Sequence, residues 1–431
     1  MNPVTFAVIG AGSRGTGYAK YALAHPSQAE LVGVAEPRDQ ARMRLAADHD
    51  VNPELIFTDW RAAAQREKFA DAVLITTQDA MHSEPAIAFA EKGYHLLLEK
   101  PMAPTADECR RIVDAVKANG VMLAVGHVLL YTRYTQMLKQ ILDAGTIGEI
   151  VSIQRTEPVG YWHQAHSFVR GNWRNEAEST SMLMAKSCHD IDWIRYIMGE
   201  KCRSLSSFGT LKHFRKGAKP AEAGDAMRCL ECAYEPNCPY SAPKLYLDDT
   251  NRDTDQWPAS VLTFDTSEAG ITEALRTGPY GRCVYECDND VVDNQVVNML
   301  FDNDKTASFT MTAFTLAGHR RTSIFGTRGE IYGNGEQIHV TDFVTEKTTT
   351  IDTTAIDTTA TDTAESPTSG DGTILGGHGG GDYGLMESFI KAVATNDPSL
   401  LLSGPDETLE SHLMVFAAEE ARRGNKVVDL G

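Results

Sequence analysis

A glycine-rich turn, Gly10-Ala11-Gly12-Ser13-Arg14-Gly15, constrains this chain more than any other feature. It directly follows an apolar run at residues 4–9 and opens a stretch of helical composition at residues 16–24. In a strand–turn–helix unit, the first glycine allows the tight turn, the second lets a diphosphate approach, and the third lets the helix pack on the sheet. The alternative is a glycine turn without a dinucleotide. We predict a dinucleotide site formed by Gly10, Gly12, Ser13, Arg14 and Gly15.

Helix-like segments separate a series of strand-like runs in the first 126 residues. After the run at 4–9, these lie at residues 31–35, 55–57, 71–77, 95–99 and 121–125. Thr105 and Glu108 form a capping-box pattern at the start of the last helix. Strands joined through helices imply right-handed crossovers and a parallel sheet covered on both faces. The chain is therefore predicted to be an α/β protein in which residues 1–126 form a Rossmann domain with a doubly wound parallel sheet.

The pattern changes after Gly126, where a helix at about residues 134–143 precedes strands separated by turn signals. The strand-like runs lie at residues 149–154, 260–264, 295–301, 307–312, 322–325 and 337–340. Residues 127–431 are therefore predicted to form an α+β substrate-binding and oligomerisation domain on an open, largely antiparallel sheet. Residues 345–371, rich in threonine, aspartate and alanine, are predicted to form a solvated loop or an edge ribbon.

Charge and hydropathy argue against two classes of partner. A formal net charge of -19 argues against a nucleic-acid backbone or an anionic membrane surface. No apolar run of about 18 residues occurs, so no transmembrane helix is predicted. The first residues enter an apolar strand without a basic segment or a small-residue cleavage site, and we therefore expect a cytoplasmic protein.

Glu36 follows Gly15 by about 20 residues, at the end of the second strand-like run. A carboxylate at this position can accept hydrogen bonds from both ribose hydroxyls and would repel a 2′-phosphate. Arg38, two residues later, could instead reach such a phosphate. The sequence therefore favours NAD over NADP, with Glu36 and Arg38 at the adenosine ribose.

The fifth strand-like run ends in Glu99-Lys100-Pro101. Open parallel sheets place ligands at the carboxyl ends of their strands, so Lys100 is expected to face the nicotinamide. A lysine that is partly desolvated beside a positively charged ring can give up its proton near neutral pH. It can then accept the proton of a substrate hydroxyl. Taken alone, a single lysine is more often a surface charge.

Five segments together resemble the Gfo/Idh/MocA oxidoreductases, named for glucose-fructose oxidoreductase, inositol dehydrogenase and a rhizopine catabolism protein. They are GAGSRG at 10–15, VLITTQDAMHSEPAIAFAEKGYHLLLEKP at 73–101, VGH at 125–127, GTIGEI at 145–150 and HDIDW at 189–193. The resemblance implies a Rossmann domain followed by an open-faced sheet domain. It also implies that the cofactor lies along Thr76, Thr77, His82, Glu99, Lys100 and His127, and that Lys100 is the catalytic lysine.

One position departs from the family pattern. Many members carry an aspartate four residues before the active-site histidine, whereas this chain has Ala185 before His189. Asp192 matches the pattern, and Lys186 could occupy the space of the missing carboxylate. We expect Lys100 and His189 to be the catalytic pair, with Lys186 as a substrate ligand or proton partner. The alternatives are a surface position for Lys186 and a structural core position for His189.

Sugar recognition requires planar hydrogen-bond donors and flat apolar faces. Candidate sources of both are Trp162-His163, Trp173-Arg174 and the segment His378-Gly379-Gly380-Gly381-Asp382. Each could equally be structural, although the flexible glycines could present His378 to the cleft. The predicted substrate ligands are Lys100, Lys186, His189, Asp192, Trp173, Arg174 and His378.

Cys229, Cys232 and Cys238 lie close together in a segment, at about residues 202–250, that lacks strong periodicity. A CxxC pair with a third nearby cysteine offers three soft ligands that suit Zn²⁺. His213 is predicted as the fourth ligand of a structural zinc site, with Cys202 as the second choice. A reduced or redox-active thiol cluster and an iron–sulfur centre remain as alternatives.

These features predict an NAD-dependent oxidoreductase that transfers a hydride between nicotinamide and a carbinol or keto carbon of a sugar, sugar derivative or cyclitol. One alternative is an NAD-dependent glycoside-cleaving enzyme that oxidises, eliminates and reduces without net redox change. Another is a non-catalytic NAD-binding regulator. Open sheets in second domains of this kind usually bury one face against another subunit, so we expect a homodimer or a homotetramer.

Overall fold

The computed structural model describes residues 2–248, 257–354 and 378–431. Its first sheet contains six strands: β1 (Val4–Ile9), β2 (Ala29–Ala35), β3 (Ile56–Phe57), β4 (Ala72–Ile75), β5 (His95–Leu98) and β6 (Leu123–Val125). They lie side by side in the order β3-β2-β1-β4-β5-β6, and every neighbouring pair is parallel. This order is that of a doubly wound dinucleotide-binding sheet, as predicted.

Five helices connect these strands: α1 (Ser13–Ala24), α2 (Asp39–Asp48), α3 (Trp60–Gln65), α4 (Ser83–Glu91) and α5 (Ala106–Ala118). The predicted capping box begins α5, where the Thr105 hydroxyl accepts a hydrogen bond from the Glu108 N–H at 3.3 Å. The same hydroxyl donates to the Glu108 carboxylate at 2.6 Å. The local sequence therefore determines where this helix begins.

The second sheet has nine strands: β7 (Ile150–Pro158), β8 (Cys202–Thr210), β9 (Asn294–Phe301), β10 (Thr306–Thr312), β11 (Arg321–Gly326), β12 (Gly329–Gly333), β13 (Gln337–Asp342), β14 (Lys347–Asp352) and β15 (Val427–Asp429). Their order is β14-β13-β12-β11-β7-β10-β9-β8-β15. Only β7 and β10 pair in parallel, so the sheet is largely antiparallel, as predicted.

The helices of the second domain are α6 (Arg133–Asp143), α7 (Tyr161–His163), α8 (Met182–Ala185), α9 (Cys188–Met198), α10 (Ala242–Tyr246), α11 (Glu268–Thr277), α12 (Gly381–Thr395) and α13 (Pro405–Gly424). A π-helical segment, Gln164–Arg170, continues from α7. Among the described helices, none has the length and the hydropathy needed to cross a bilayer.

Three local predictions need correction or completion. The strand predicted at 260–264 does not form, and a 3-10 turn, Ala259–Val261, ends there with Phe264 exposed. The aperiodic segment predicted to start at about residue 202 instead opens with strand β8, whose partner β9 lies far along the chain. The Thr-rich segment begins as the edge strand β14, and its residues 355–377 lie outside the described part of the chain.

Helix α13 joins the two domains, because it packs against α5 on one side and against α9 and β8 on the other. His412 on this helix is fully buried. Its Nδ1 donates to the Thr408 carbonyl at 2.9 Å, and its Nε2 accepts from the Met102 N–H at 2.9 Å. This arrangement requires the neutral ring, and burial lowers the pKa of His412 to about 3.

We predict that His412 makes the folded protein sensitive to acid. Because its pKa in the folded state lies below the unfolded value of about 6.5, the unfolded chain binds more protons between these two values. The free energy of unfolding therefore falls as the pH drops through this window, by up to about 1.4 kcal/mol per pH unit from this residue. In urea titrations from pH 6 to pH 4, His412→Gln should show a shallower loss of stability than wild type. The exposed control His319→Gln should not, and equal slopes for His412→Gln and wild type would contradict the prediction.

Candidate functional site

The glycine-rich turn forms a cradle at the start of α1. Gly10 has a φ of +99°, and a Cβ atom there would lie 2.8 Å from the Thr76 carbonyl oxygen. A Cβ atom at Gly15 would lie 2.2 Å from the Gly10 carbonyl oxygen. Gly12 occupies the N-cap position without a side-chain cap, which leaves the first N–H groups of the helix free of a side-chain acceptor. The turn therefore fits a dinucleotide diphosphate.

Residues after β4 and β5 form hydrogen bonds at and next to this cradle. The Thr76 hydroxyl donates to the Gly10 carbonyl at 2.6 Å. The buried His82 ring places Nδ1 2.7 Å from the Pro101 carbonyl oxygen and Nε2 3.0 Å from the Thr77 carbonyl oxygen. Both ring nitrogens thus contact backbone, and His82 ties together the two loops that border the cleft.

Glu36 lies at the end of β2 and faces the glycine turn. Its Oε2 accepts a hydrogen bond from the Ala11 N–H at 2.9 Å, and its Oε1 accepts from the Arg38 backbone N–H at 2.9 Å and from the Arg38 Nε at 2.8 Å. Burial alone would raise the pKa of Glu36, but the hydrogen bonds from Arg38 and Ala11 outweigh it and hold the pKa below its usual range. A carboxylate and a guanidinium thus stand together at the turn.

A partly buried ion network connects α1, the end of β5 and the start of α12. The Glu99 carboxylate accepts from Arg14 Nε at 2.7 Å and from the Tyr18 hydroxyl at 2.6 Å. The second arm of Arg14 binds Asp382, whose other oxygen lies 2.9 Å from His378 Nδ1. Arg14 and Glu99 were predicted to bind cofactor, and in the structure they bind each other. The sequence does not single out Tyr18, although it lies one helical turn after Arg14, and it indicates Asp382 only as the end of the candidate segment that begins at His378.

Lys100 lies directly after β5 and reaches the second domain. Its Nζ donates to the Ala185 carbonyl at 2.6 Å. His189 is 5% exposed, and its ring centroid lies 5.6 Å from that of His127 and 6.0 Å from that of His378. Burial and the nearby Lys100 charge hold the pKa of His189 well below its ordinary value, so the ring is neutral. The structure therefore brings the predicted pair and His378 together.

Lys186 joins an ion cluster that the sequence analysis did not identify. Its Nζ lies 3.5 Å from Glu157 Oε1, while Glu157 Oε2 lies 2.9 Å from Arg320 Nε. Asp190 binds both Arg320 and Arg155. Burial lowers the pKa of Lys186, and Glu157 only partly offsets this effect. Arg155 and Glu157 lie on the same face of β7, but the predicted strand stopped at residue 154.

His127 and Asp192 form a second, deeper group. Both His127 ring nitrogens and both Asp192 carboxylate oxygens are buried without a hydrogen-bond partner among the described residues. His127 Nδ1 lies 4.0 Å from Asp192 Oδ2, and Arg195 Nε lies 3.6 Å from Asp192 Oδ1. Burial lowers the pKa of His127 to about 3 and raises the pKa of Asp192. The Asp192 carboxylate therefore faces His127 and Arg195.

The predicted substrate ligands Trp173 and Arg174 have protein partners. Trp173 Nε1 donates to the Asp79 carboxylate at 3.2 Å. Arg174 makes two hydrogen bonds of 3.0 Å to Asp288 and a third contact of 3.0 Å to Glu178. These carboxylates already bind the Arg174 guanidinium, and the Arg174 side chain is only 18% exposed. Little of this side chain is therefore accessible to a ligand.

The structure does not support the predicted zinc site. Within residues 2–248, 257–354 and 378–431, no three His, Cys, Asp or Glu side chains form a group that could hold a metal ion. Arg170 Nη2 lies 3.4 Å from Cys229 Sγ, and this positive charge opposes a bound cation. His213 Nε2 lies 3.1 Å from the Tyr285 hydroxyl. Cys232, Cys238 and the second-choice ligand Cys202 are free thiols.

Two family models match the chain. One, described as an oxidoreductase family with an NAD-binding Rossmann fold, matches residues 4–127. The other, described as an oxidoreductase family C-terminal alpha/beta domain, matches residues 139–430. The two matches meet close to the boundary between the two sheets.

Curated relatives match over part of their length. The scyllo-inositol 2-dehydrogenase (NAD(+)) of Bacillus subtilis is 26% identical over 282 residues, which cover 64% of this chain and 69% of the relative. The 2,7-anhydro-N-acetylneuraminate hydratase of Mediterraneibacter gnavus is 25% identical over 199 residues, which cover 46% of this chain and 50% of the relative. The chain spans about half the length of several curated relatives that it matches.

Solved structures share the fold over the whole chain. Levoglucosan dehydrogenase in complex with NADH and levoglucosan has a TM-score of 0.69 at 19% identity and covers 100% of both chains. An oxidoreductase from Agrobacterium radiobacter in complex with NAD+, L-tartaric acid and magnesium has a TM-score of 0.69 at 13% identity, covering 99% of this chain and 98% of its own. At these identities the likeness shows the fold alone. The family models, which match nearly the whole chain, show that this protein belongs to the Gfo/Idh/MocA oxidoreductase family.

Proposed function

We propose that this protein is an NAD-dependent oxidoreductase that acts on a CH–OH group of a sugar, sugar derivative or cyclitol. The observation that carries the proposal is Lys100, held by the Ala185 carbonyl beside the neutral His189, at the strand ends next to the glycine cradle. Relatives named inositol 2-dehydrogenase and levoglucosan dehydrogenase support this reaction class.

The residues of the cleft suit the cofactor chemically. Gly10, Gly12, Ser13 and the first N–H groups of α1 would bind the diphosphate, and Glu36 would accept from the ribose hydroxyls. When bound, NAD would supply the hydride acceptor or donor. Arg14 and Glu99 act as positioning residues, because their ion pair fixes α1 against the end of β5.

In the oxidative direction, the Lys100 amine takes the proton of the substrate hydroxyl as that carbon loses its hydride. The Ala185 carbonyl fixes the Nζ atom by accepting one of its hydrogens, which leaves the rest of the amino group for the substrate. His189 has an unpartnered Nδ1 among the described residues and can hydrogen-bond the same hydroxyl. In the reverse direction, the ammonium form of Lys100 returns the proton to the alkoxide.

Aromatic side chains near this pair support a ring-shaped substrate. The Trp162 and His163 rings stack at 5.6 Å with an interplanar angle of 27°, and Trp257 lies 4.9 Å from His163. Burial and the charge of Lys186 hold the pKa of His163 well below its ordinary value. Flat faces of this kind pack against the C–H faces of sugars, and neutral nitrogens bind hydroxyls.

A reaction without net redox change is the second candidate. Two relatives named 2,7-anhydro-N-acetylneuraminate hydratase favour it. An enzyme that oxidises transiently, eliminates or adds, and then reduces would turn over without accumulating NADH. Steady formation of NADH with substrate supports the dehydrogenase, and turnover of substrate without net NADH supports this second candidate.

Replacement of Lys100 tests the proton transfer. We predict that Lys100→Met lowers kcat by roughly 10²- to 10⁴-fold, because the hydroxyl proton loses its acceptor. The Kd for NADH should stay within about threefold, since the cradle is unchanged. NADH absorbance with a panel of sugars and cyclitols measures the rate, and the exposed Lys391→Met is the control. A kcat of Lys100→Met within a few-fold of wild type would contradict the assignment.

Glu36 tests the choice of cofactor. We predict that wild type binds NADH more tightly than NADPH, because the buried carboxylate would repel a 2′-phosphate. Glu36→Ala should weaken NADH binding by about tenfold, the loss expected for a charge-assisted hydrogen bond, and should free Arg38 to favour NADPH. Fluorescence titration measures both Kd values, with the exposed Glu54→Ala as control. An unchanged NADH-to-NADPH ratio in Glu36→Ala would rule out this role.

We further propose a homodimer or a homotetramer formed through the open face of the second sheet. Phe208, Val296, Tyr332 and Val427 share this face by strand register and are 36–67% exposed. An exposed apolar face of this kind is typical of a subunit interface. Phe208→Glu should lower the mass measured by light scattering, whereas Val344→Glu, in the turn after β13, should not. A monomeric wild type at micromolar concentration would refute the interface.

A further inference from the structure

The cleft beside Lys100 contains more cationic than anionic side chains. Four cations and two carboxylates form a continuous group, which we call the cationic cluster: Lys100, Lys186, Arg155, Arg320, Glu157 and Asp190. Two further carboxylates of the site, Glu99 and Asp382, both bind Arg14. The carboxylates of the cationic cluster therefore cannot neutralise all of its cations.

The contacts within the cationic cluster are unequal, and Lys186 has the weakest. Its 3.5 Å separation from Glu157 Oε1 exceeds the usual length of a charge-assisted hydrogen bond, whereas Arg320 Nε lies 2.7 Å from Asp190 and 2.9 Å from Glu157. The side chains of Lys186 and Arg320 are 18% and 16% exposed, but that of Arg155 is only 3% exposed. Lys186 and Arg320 are therefore more accessible to a ligand than Arg155 is.

Among the described residues, the groups with the largest effects on Lys186 include no carboxylate besides Glu157 and Asp190. Ala185 stands where many family members have an aspartate, and it contributes only its carbonyl oxygen, to Lys100. His163 and His189 are held neutral by burial and by the surrounding cations. A partly desolvated ammonium group without close compensation is costly, and a bound anion would remove that cost.

We infer that the substrate is a carboxylated sugar, a uronate or an aldonate, whose carboxylate binds Lys186 and Arg320 while its reacting hydroxyl faces Lys100. This inference rests on the proposed function, because it assigns the substrate class of the same site. The substrate carboxylate takes over the charge that an aspartate at position 185 would supply. Arg320 offers the guanidinium donors that Asp190 and Glu157 do not use, and Lys186 offers the donors that Glu157 leaves open.

Matched pairs of ligands test this inference by binding rather than by turnover. The probes are D-glucuronate with D-glucose, D-galacturonate with D-galactose, and D-gluconate with D-glucitol, each pair differing at one terminal carbon. Calorimetry on the NADH-loaded protein at low salt should show at least one acid binding tenfold or more tightly than its neutral partner. Added salt should weaken binding of the acid more than binding of the neutral ligand.

Variants of Lys186 locate the effect. Lys186→Met should reduce affinity for the preferred acid by tenfold or more and change affinity for its neutral partner by less than threefold. Lys186→Arg, which keeps the charge, should retain most of the preference, and the exposed Lys391→Met should behave as wild type. Circular dichroism and NADH binding establish that each variant is folded.

Each outcome decides the inference. Equal or tighter binding of all three neutral ligands, the absence of binding by all three acids, or a preference that survives Lys186→Met would overturn it. Failure of the proposed function gives a different result, namely that no ligand, acidic or neutral, is oxidised although the binding preference is present.

Discussion

The ion pair between Arg14 and Glu99 is the interaction on which the rest of the site depends. It holds the start of α1 against the end of β5, so that the glycine cradle and Lys100 face the same cleft. Through Asp382, the same arginine reaches α12 and brings His378 close to His189. Buried ion pairs are costly to break, because removal of one partner leaves an uncompensated charge. The pair therefore couples the cofactor half of the cleft to its substrate half.

A second link, from Lys100 to the Ala185 carbonyl, explains how the chain retains its lysine without the usual aspartate. The backbone oxygen fixes the position of Nζ without supplying a full negative charge. The site consequently remains cationic, and the substrate must be compatible with that positive charge. His127 and Asp192 are buried in the low-dielectric interior next to α13. The Ala185 carbonyl thus fixes the position of the Lys100 Nζ, whereas other residues set the charge of the site.

The sequence predicted the parts of the molecule that depend on local or periodic patterns. The strand from Val4 to Ile9, the capping box at Thr105 and the parallel sheet followed from burial periodicity and short-range signals. The family motifs predicted Lys100 and His189 as a pair, and the structure places the Lys100 charge near the His189 ring. For each of these features, residues close together in the sequence contain all the information needed to predict it.

Pairs formed by tertiary structure could not be predicted in this way. Arg14 and Asp382 are 368 residues apart, and neither residue has a local pattern that names the other. The CxxC spacing suggested zinc, but folding places the Arg170 guanidinium beside Cys229, which no spacing rule could reveal. The run at 260–264 lacked a partner strand in the described part of the chain, so its alternation of apolar residues did not produce a strand.

In the proposed function, the cradle at Gly12 and the amine of Lys100 belong to one dinucleotide cleft. Titration of the purified protein with NADH, followed by energy transfer from tryptophan to the reduced nicotinamide, tests this most directly. We predict saturable binding of one NADH per chain, with displacement by NAD+. The absence of saturable binding by any nicotinamide nucleotide would contradict the account.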